Sequence, residues 1–285
     1  MDIKVADQRL LLLTDQLTPA EALEKAGQKK LDSFGTVNKV AGFLSRPKDE
    51  DFELIYQEHR YQPFWHVAAH AHYVYDRSAQ YQVSSGGPEV QSVTFAGQDF
   101  PISQGHIQLQ VTEHCQQDEQ EEVFVDGVSS KPQPDLKHLL SFPSQDVTTN
   151  MMEVVPKATI LIPPQARVSA IMRDSLAKMI KGIQADQILE ETVEVTAVDL
   201  YYHPIFAFQY HWQSKNKEAI TEVDGLTGAV TTGNRTFHEY MGKVLDRDFL
   251  FDLGADAAGM FIPGGSMAVK VAKKYLDTKK AKAGK

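Results

Sequence analysis

A single cysteine, Cys115, stands in the 285-residue chain. One thiol excludes an internal disulfide framework and fits a reducing compartment, so a cytoplasmic location is the expectation. No apolar run reaches the ~18 residues that a membrane-spanning helix needs. The opening Met-Asp-Ile-Lys-Val-Ala-Asp lacks a basic region, an apolar core and a cleavage site, so no signal peptide is expected. Gly-x4-Gly-Lys, Gly-x-Gly-x-x-Gly and Cys-x-x-Cys are all missing. Nucleotide, dinucleotide and thiol-redox readings therefore lack their motifs.

With 42% apolar and 24% charged residues, the composition is that of a soluble globular protein. The length allows one large or two ordinary domains. Net charge is −9 and unevenly spread. From Lys273 onward, six lysines face one aspartate, a surplus of five that leaves −14 for the rest. Nucleic-acid affinity comes mainly from neutralising phosphates, so the acidic body argues against a nucleic-acid partner. Only the basic tail suits an anionic surface.

Thr18-Pro19-Ala20-Glu21 forms a capping box with proline at the first helical position. Apolar residues from Leu23 to Leu44 then recur near helical spacing, and Pro47 closes that helix. Strand-like sequence follows over 52–59, 61–76, 81–84 and 90–95, then over 106–113 and 122–125, with Asp126-Gly127 as a hairpin signal. After a proline-rich stretch, 159–162 reads as a short buried strand. Pro163-Pro164 opens a helix whose face is Val168, Ile171, Met172, Leu176, Met179, Ile180 and Ile183. Strands are expected again over 192–200, 202–212, 218–224 and 228–231.

Both halves carry a Tyr-x-Pro strand: Tyr61-Gln62-Pro63-Phe64-Trp65 and Tyr202-His203-Pro204-Ile205-Phe206. The pattern predicts an α+β fold of two related units, each an antiparallel sheet with a packed helix, plus a C-terminal helical appendage. The expected divisions are an N-terminal α+β unit over 1–130, a connecting segment over 131–164, a second α+β unit over 165–235, and a C-terminal helical segment with a basic tail over 236–285. Within the second unit, Ile220-Thr221-Glu222-Val223-Asp224-Gly225-Leu226-Thr227-Gly228-Ala229-Val230 resembles the hairpin of PepSY-type domains. That resemblance covers roughly 166–232. It implies an α-β-β unit of a kind associated with peptidase regulation, and usually exported or membrane-anchored, which conflicts with the missing signal peptide. The whole chain also resembles bacterial proteins with Tyr-x-Pro-aromatic strands. Some of those carry a zinc ribbon, which is missing here.

Three histidines, His66, His70 and His72, fall on one face of the 61–76 strand, ~6.6 Å apart between neighbouring same-face positions. Imidazoles at that spacing can share a metal, and these three are the candidate metal ligands. The opposite face, with Trp65, Val67, Ala69, Ala71, Tyr73 and Tyr75, is the apolar one, so the histidines are expected on the wetter side. In Glu113-His114-Cys115 only Glu113 and Cys115 share a face, and a lone thiol is more often a small buried hydrophobe. Asp118–Glu122 reads as a solvated edge or turn.

Two near-motifs fail. His238-Glu239-Tyr240-Met241-Gly242 begins like a zinc-protease helix but ends in glycine. Gly264-Gly265-Ser266-Met267-Ala268 resembles a nucleophile elbow, yet no histidine follows it. No catalytic residue is assigned and no cofactor is implied. The expectation is a non-catalytic binding or assembly protein. Its rivals are a metal-binding protein using the histidine face and an enzyme of unassigned chemistry. Phe249, Leu250, Phe251, Leu253, Met260, Phe261 and Ile262 carry too much apolar surface to stay exposed. They are expected to cover the body, a second subunit or protein partner, or a lipid surface, with packing on protein favoured over peripheral membrane contact.

Overall fold

The computed structural model describes residues 2–35, 48–148, 154–156, 159–180 and 182–232. Three long strands organise it: β3 (Phe52–Ser84), β6 (His106–Asp126) and β9 (Gln187–Trp212). β3 spans 33 residues, a contour length of ~110 Å at the usual strand rise. It lies between β6 and β9 and pairs antiparallel with both. Short strands extend the far side of β9. β1 (Asp2–Val5) and β2 (Gln8–Leu13) pair with it in parallel, and β10 (Lys217–Asp224) pairs antiparallel. β7 (Ser144–Asp146) borders β2, β11 (Val230–Thr232) borders β10, and β8 (Ile160–Leu161) runs parallel to β3. These nine strands form one mixed sheet. A separate two-stranded hairpin, β4 (Ser92–Phe95) and β5 (Gln98–Pro101), tips the β3–β6 ribbon, turning at Ala96-Gly97 with positive φ at both residues.

One face of the sheet is apolar. Trp65, Val67, Ala69, Ala71, Tyr73 and Tyr75 of β3 meet Val193, Val195, Val198, Leu200 and Tyr202 of β9 there. Helix α2 (Val168–Met179) covers this cluster with Val168, Leu176 and Met179. Trp65 Nε1 donates to the Ala166 carbonyl at 3.0 Å, so the large ring is buried without a lost hydrogen bond. Further along the same face, helix α1 (Pro19–Lys29) lays Ala22 and Ala26 against Phe206, Phe208, Trp212 and Val223. Its capping box forms as expected: Glu21 N–H donates to Thr18 Oγ1, and Thr18 N–H donates to the Glu21 carboxylate.

The expected α+β class is overturned. The protein is mostly β, and a single large mixed sheet replaces two units that each hold their own sheet and helix. The predicted breaks at Arg60, 77–80 and 114–121 do not occur; β3 and β6 run straight through them. The helices also cross over. α1, from the first half, packs on β9 and β10, while α2 packs on β3 and β6. The first helix is shorter than its apolar spacing suggested, with a 3-10 turn over Lys30–Phe34 following Lys29. The C-terminal appendage, with the near-motifs at His238 and Ser266, lies outside the described residues.

Both Tyr-x-Pro segments sit inside strands rather than at their starts, and they pair with each other. Tyr61 opposes Pro204, Gln62 opposes His203 and Pro63 opposes Tyr202. A proline is tolerated mid-strand because the neighbour on its imide side changes there. β8 ends opposite Tyr61 and β6 begins opposite Phe64; β2 ends opposite Tyr202 and β10 begins opposite Ile205. The freed carbonyls are satisfied by matching turns. Gly127 N–H donates to Pro63 O at 2.8 Å, and Gly225 N–H to Pro204 O at 2.9 Å. Asp126 Oδ1 accepts from Val128 and Ser129, as Asp224 Oδ1 accepts from Leu226 and Thr227. These are Asx turns built by Asp-Gly in both places.

Candidate functional site

Strand alternation sends the even-numbered residues of central β3 to the face away from the helices. Where the 3-10 turn of Pro134–Ser141 lies over this face, Phe64, Phe124, Tyr201 and Leu139 make a small apolar cluster. Beside it, the register sets His66 between Asp199 of β9 and Phe124 of β6. The ring stacks on Phe124 with centroids 4.9 Å apart. His66 Nδ1 lies 3.3 Å from Asp199 Oδ2, and Nε2 lies 3.2 Å from Glu122 Oε1. Arg9 on β2 grips Asp199 with two hydrogen bonds of 2.8 Å, and Lys137 donates to Glu122. Five side chains from five separate segments thus form one line of alternating charge capacity: Arg9, Asp199, His66, Glu122, Lys137.

Asp199 is 1% exposed. Burial pushes its carboxyl up, but hydrogen bonds from His66 and Arg9 outweigh this and leave it below the ordinary aspartate range. Lys137 is the largest influence on Glu122, which is also lowered. A second buried charge lies along the same face. Arg60, 2% exposed, donates to Glu58 at 2.7 Å and to Glu222 at 2.5 Å. Burial disfavours its charge, yet the two carboxylates hold the guanidinium more firmly protonated than usual. Next to the Tyr-x-Pro crossing, His203 Nε2 sits 3.1 Å from Asp224 Oδ2 but off the ideal hydrogen-bonding direction.

Past His66 the face opens. Ala68 offers only a methyl, and β9 bulges there because Ala68 faces Ala197 while Ala69 faces Val195. Thr196 is the extra residue, and such bulges re-aim side chains beside functional surfaces. An open groove of about 460 Å³ results, lined by Ala68, Ala69, His70, Gln120, Glu121, Glu122 and Thr196. Beyond it His70 Nε2 and His72 Nδ1 both approach Asp118 Oδ1, at 3.2 and 2.7 Å, and His72 Nε2 lies 3.8 Å from Glu190.

The three histidines share the predicted face but do not converge. His66 is buried and turned to Asp199 and Glu122, whereas His70 and His72 are partly exposed and meet on Asp118. Among the described residues, no group of three or more histidine, cysteine, aspartate or glutamate side chains is arranged to hold a metal ion. Glu113 and Cys115 share the other face, where Glu113 binds Arg77 and Tyr81 while the Cys115 thiol points to the Glu113 carbonyl. The run Asp118–Glu122 is no turn. It lies within β6, which pairs with β3 on one side only over this run.

Arg9, Asp199 and Lys137 escaped the sequence reading because each meets His66 from more than 50 residues away in the chain. Asp199 did carry a signal, as a lone carboxylate inside an apolar strand run. Glu122 was within reach too, since alternation puts it with Asp118 on one face. No protein-family model matches the chain, and comparisons with curated proteins and with solved structures return no match.

Proposed function

We propose that the protein is a non-catalytic binding or assembly protein whose open face takes an extended, cationic segment of a protein partner. The groove at Ala68 carries this reading: its walls offer Glu121, Glu122, Gln120 and His70 over a floor of small side chains, beside an edge strand. A segment adding to β6 would gain main-chain hydrogen bonds, and every second side chain would fall into the groove. Lysine or arginine there would compete with Lys178 and Lys137 for Glu121 and Glu122. The resemblance of residues 166–232 to PepSY-type domains, which are associated with peptidase regulation, points likewise to binding rather than turnover. The test is titration with a fluorescent Lys-x-Lys-x-Lys peptide. Glu121→Gln/Glu122→Gln should weaken binding at least 10-fold, and amide exchange of β6 should slow in the complex. Equal affinity for a glutamate-substituted peptide would overturn the proposal.

A second reading, metal binding, draws on the approach of His70 and His72 to one Asp118 oxygen. As they stand the three side chains are not arranged to hold an ion, so binding would have to turn them toward a common point, with water completing the zinc's coordination. Untagged protein should then retain stoichiometric zinc through dialysis, and His70→Ala/His72→Ala should release it. Protein that dialyses metal-free would dispose of this reading.

A further inference from the structure

Backbone pairing determines which groups of β6 stand open. The β3–β6 register holds without a shift from Phe64 opposite Asp126 to Ser84 opposite His106. Alternate residues of β6 therefore point their N–H and C=O groups toward β3 and away from it. Fixed points at both ends set the phase. His106 exchanges both of its backbone hydrogen bonds with Ser103, while Phe124 O and Asp126 N–H bond Gln133 and Lys131. These three β6 residues are even-numbered, and none of their partners lies in β3. The even-numbered residues from 108 to 122 thus turn their backbone groups outward, and among the described residues no strand pairs with them. The result is a slot of fifteen residues, closed by Ser103 at one end and by Gln133 at the other.

One end of the slot lacks a third strand. β9 begins at Gln187, opposite Asp76, so β3 and β6 run on alone over 77–84 and 106–113. Ala79, Tyr81 and Val83 form an apolar side there with Leu109 and Val111, and Tyr81 is 49% exposed. Two strands with an uncovered apolar side are marginal in water, whereas a third strand stabilises such a sheet. The β3 edge is already taken at its start, where Ser78 N–H donates to the Asp186 carboxylate. We propose that the partner segment fills the whole slot as a third strand, antiparallel to β6, with apolar side chains opposite Leu109 and Val111. This rests on the proposed addition of a cationic segment to β6, and it gives that segment its length and its second half. A second copy of the chain does not fit, because its own β6 would run on past the slot into Ser103 or Gln133. A segment that ends within fifteen residues meets neither.

The test is a fifteen-residue peptide with lysine at positions one, three and five, valine at twelve and fourteen, and threonine elsewhere. Antiparallel register sets the lysines opposite Glu122, Gln120 and Asp118 and the valines opposite Val111 and Leu109. It should bind the full-length protein ~10-fold more tightly than its first five residues alone. The same margin should separate it from a peptide with valine at eleven and thirteen, which turns both valines to the glutamine side. Amide exchange should slow at the even-numbered residues from 108 to 122, since β3 already holds the odd-numbered ones. Gln110→Pro removes one outward N–H and leaves the β3 ladder intact, so it should cost ~10-fold in affinity at an unchanged melting temperature. A short peptide that binds as well as the long one would overturn this proposal and leave the cationic reading standing. Failure of both to bind would overturn both. Equal affinity for the two valine placements would also refute it.

Discussion

Asp224 closes the β10–β11 turn, and its loss should be felt in a defined pH window. Burial raises the carboxyl's pKa, but the His203 imidazole and the N–H groups of Leu226 and Thr227 outweigh burial and hold it at about 2. The unfolded chain titrates near 3.9. A folded pKa below the unfolded one contributes stability that is fully present above the unfolded value and lost as pH falls toward the folded value. The difference corresponds to ~1–2 kcal/mol after allowance for partial exposure. Asp224→Asn keeps an oxygen for the two backbone donors and removes only the charge. The variant should therefore be ~1–2 kcal/mol less stable than the parent at pH 5.5, and the gap should close by about pH 2. Paired urea melts across that range measure it. A gap that stays constant from pH 5.5 to 2 would show that Asp224 acts through hydrogen bonding alone, and would refute the charge argument.

Other substitutions separate the two faces. Trp65→Ala should cost ~3–5 kcal/mol in denaturant melts, because the ring is buried under α2. His70→Ala, partly exposed on the other face, should stay within ~0.5 kcal/mol, and comparable losses would reverse the face assignment. At Gly127 and Gly225 a Cβ would come within 2.6 Å of Pro63 O and 2.9 Å of Pro204 O. Alanine at either should cost ~1–3 kcal/mol, and two neutral alanine variants would mean the Tyr-x-Pro crossing does not need its tight turns. Asp199→Ala should destabilise more than Arg9→Ala, since it strands both His66 and Arg9 whereas Arg9 is half exposed; thermal melts of both settle the order.

What the sequence determined by itself was local. Period-two alternation placed Trp65, Val67 and Tyr73 on the buried side and His70 and His72 on the wetter side, because side-chain direction along a strand depends only on position. Thr18-Pro19-Ala20-Glu21 and both Asp-Gly turns were legible for the same reason: their hydrogen bonds close within a few residues. The tertiary structure decided whatever required a partner from far along the chain. Arg60 and the Asp118–Glu122 run looked like breaks, yet pairing carries β3 and β6 through them, since a flanking strand satisfies the backbone whatever the side chain. Pro63 and Pro204 looked like strand starts, but Gly127 and Gly225 arrive from elsewhere to complete them. The fold class turned on the same point. Two strands of 33 and 26 residues pair along most of their length, so the halves merge into one sheet and each helix covers the other half's hairpin. Register between residues more than a hundred apart also brings Asp199 and Arg9 to His66, and no local pattern encodes that meeting.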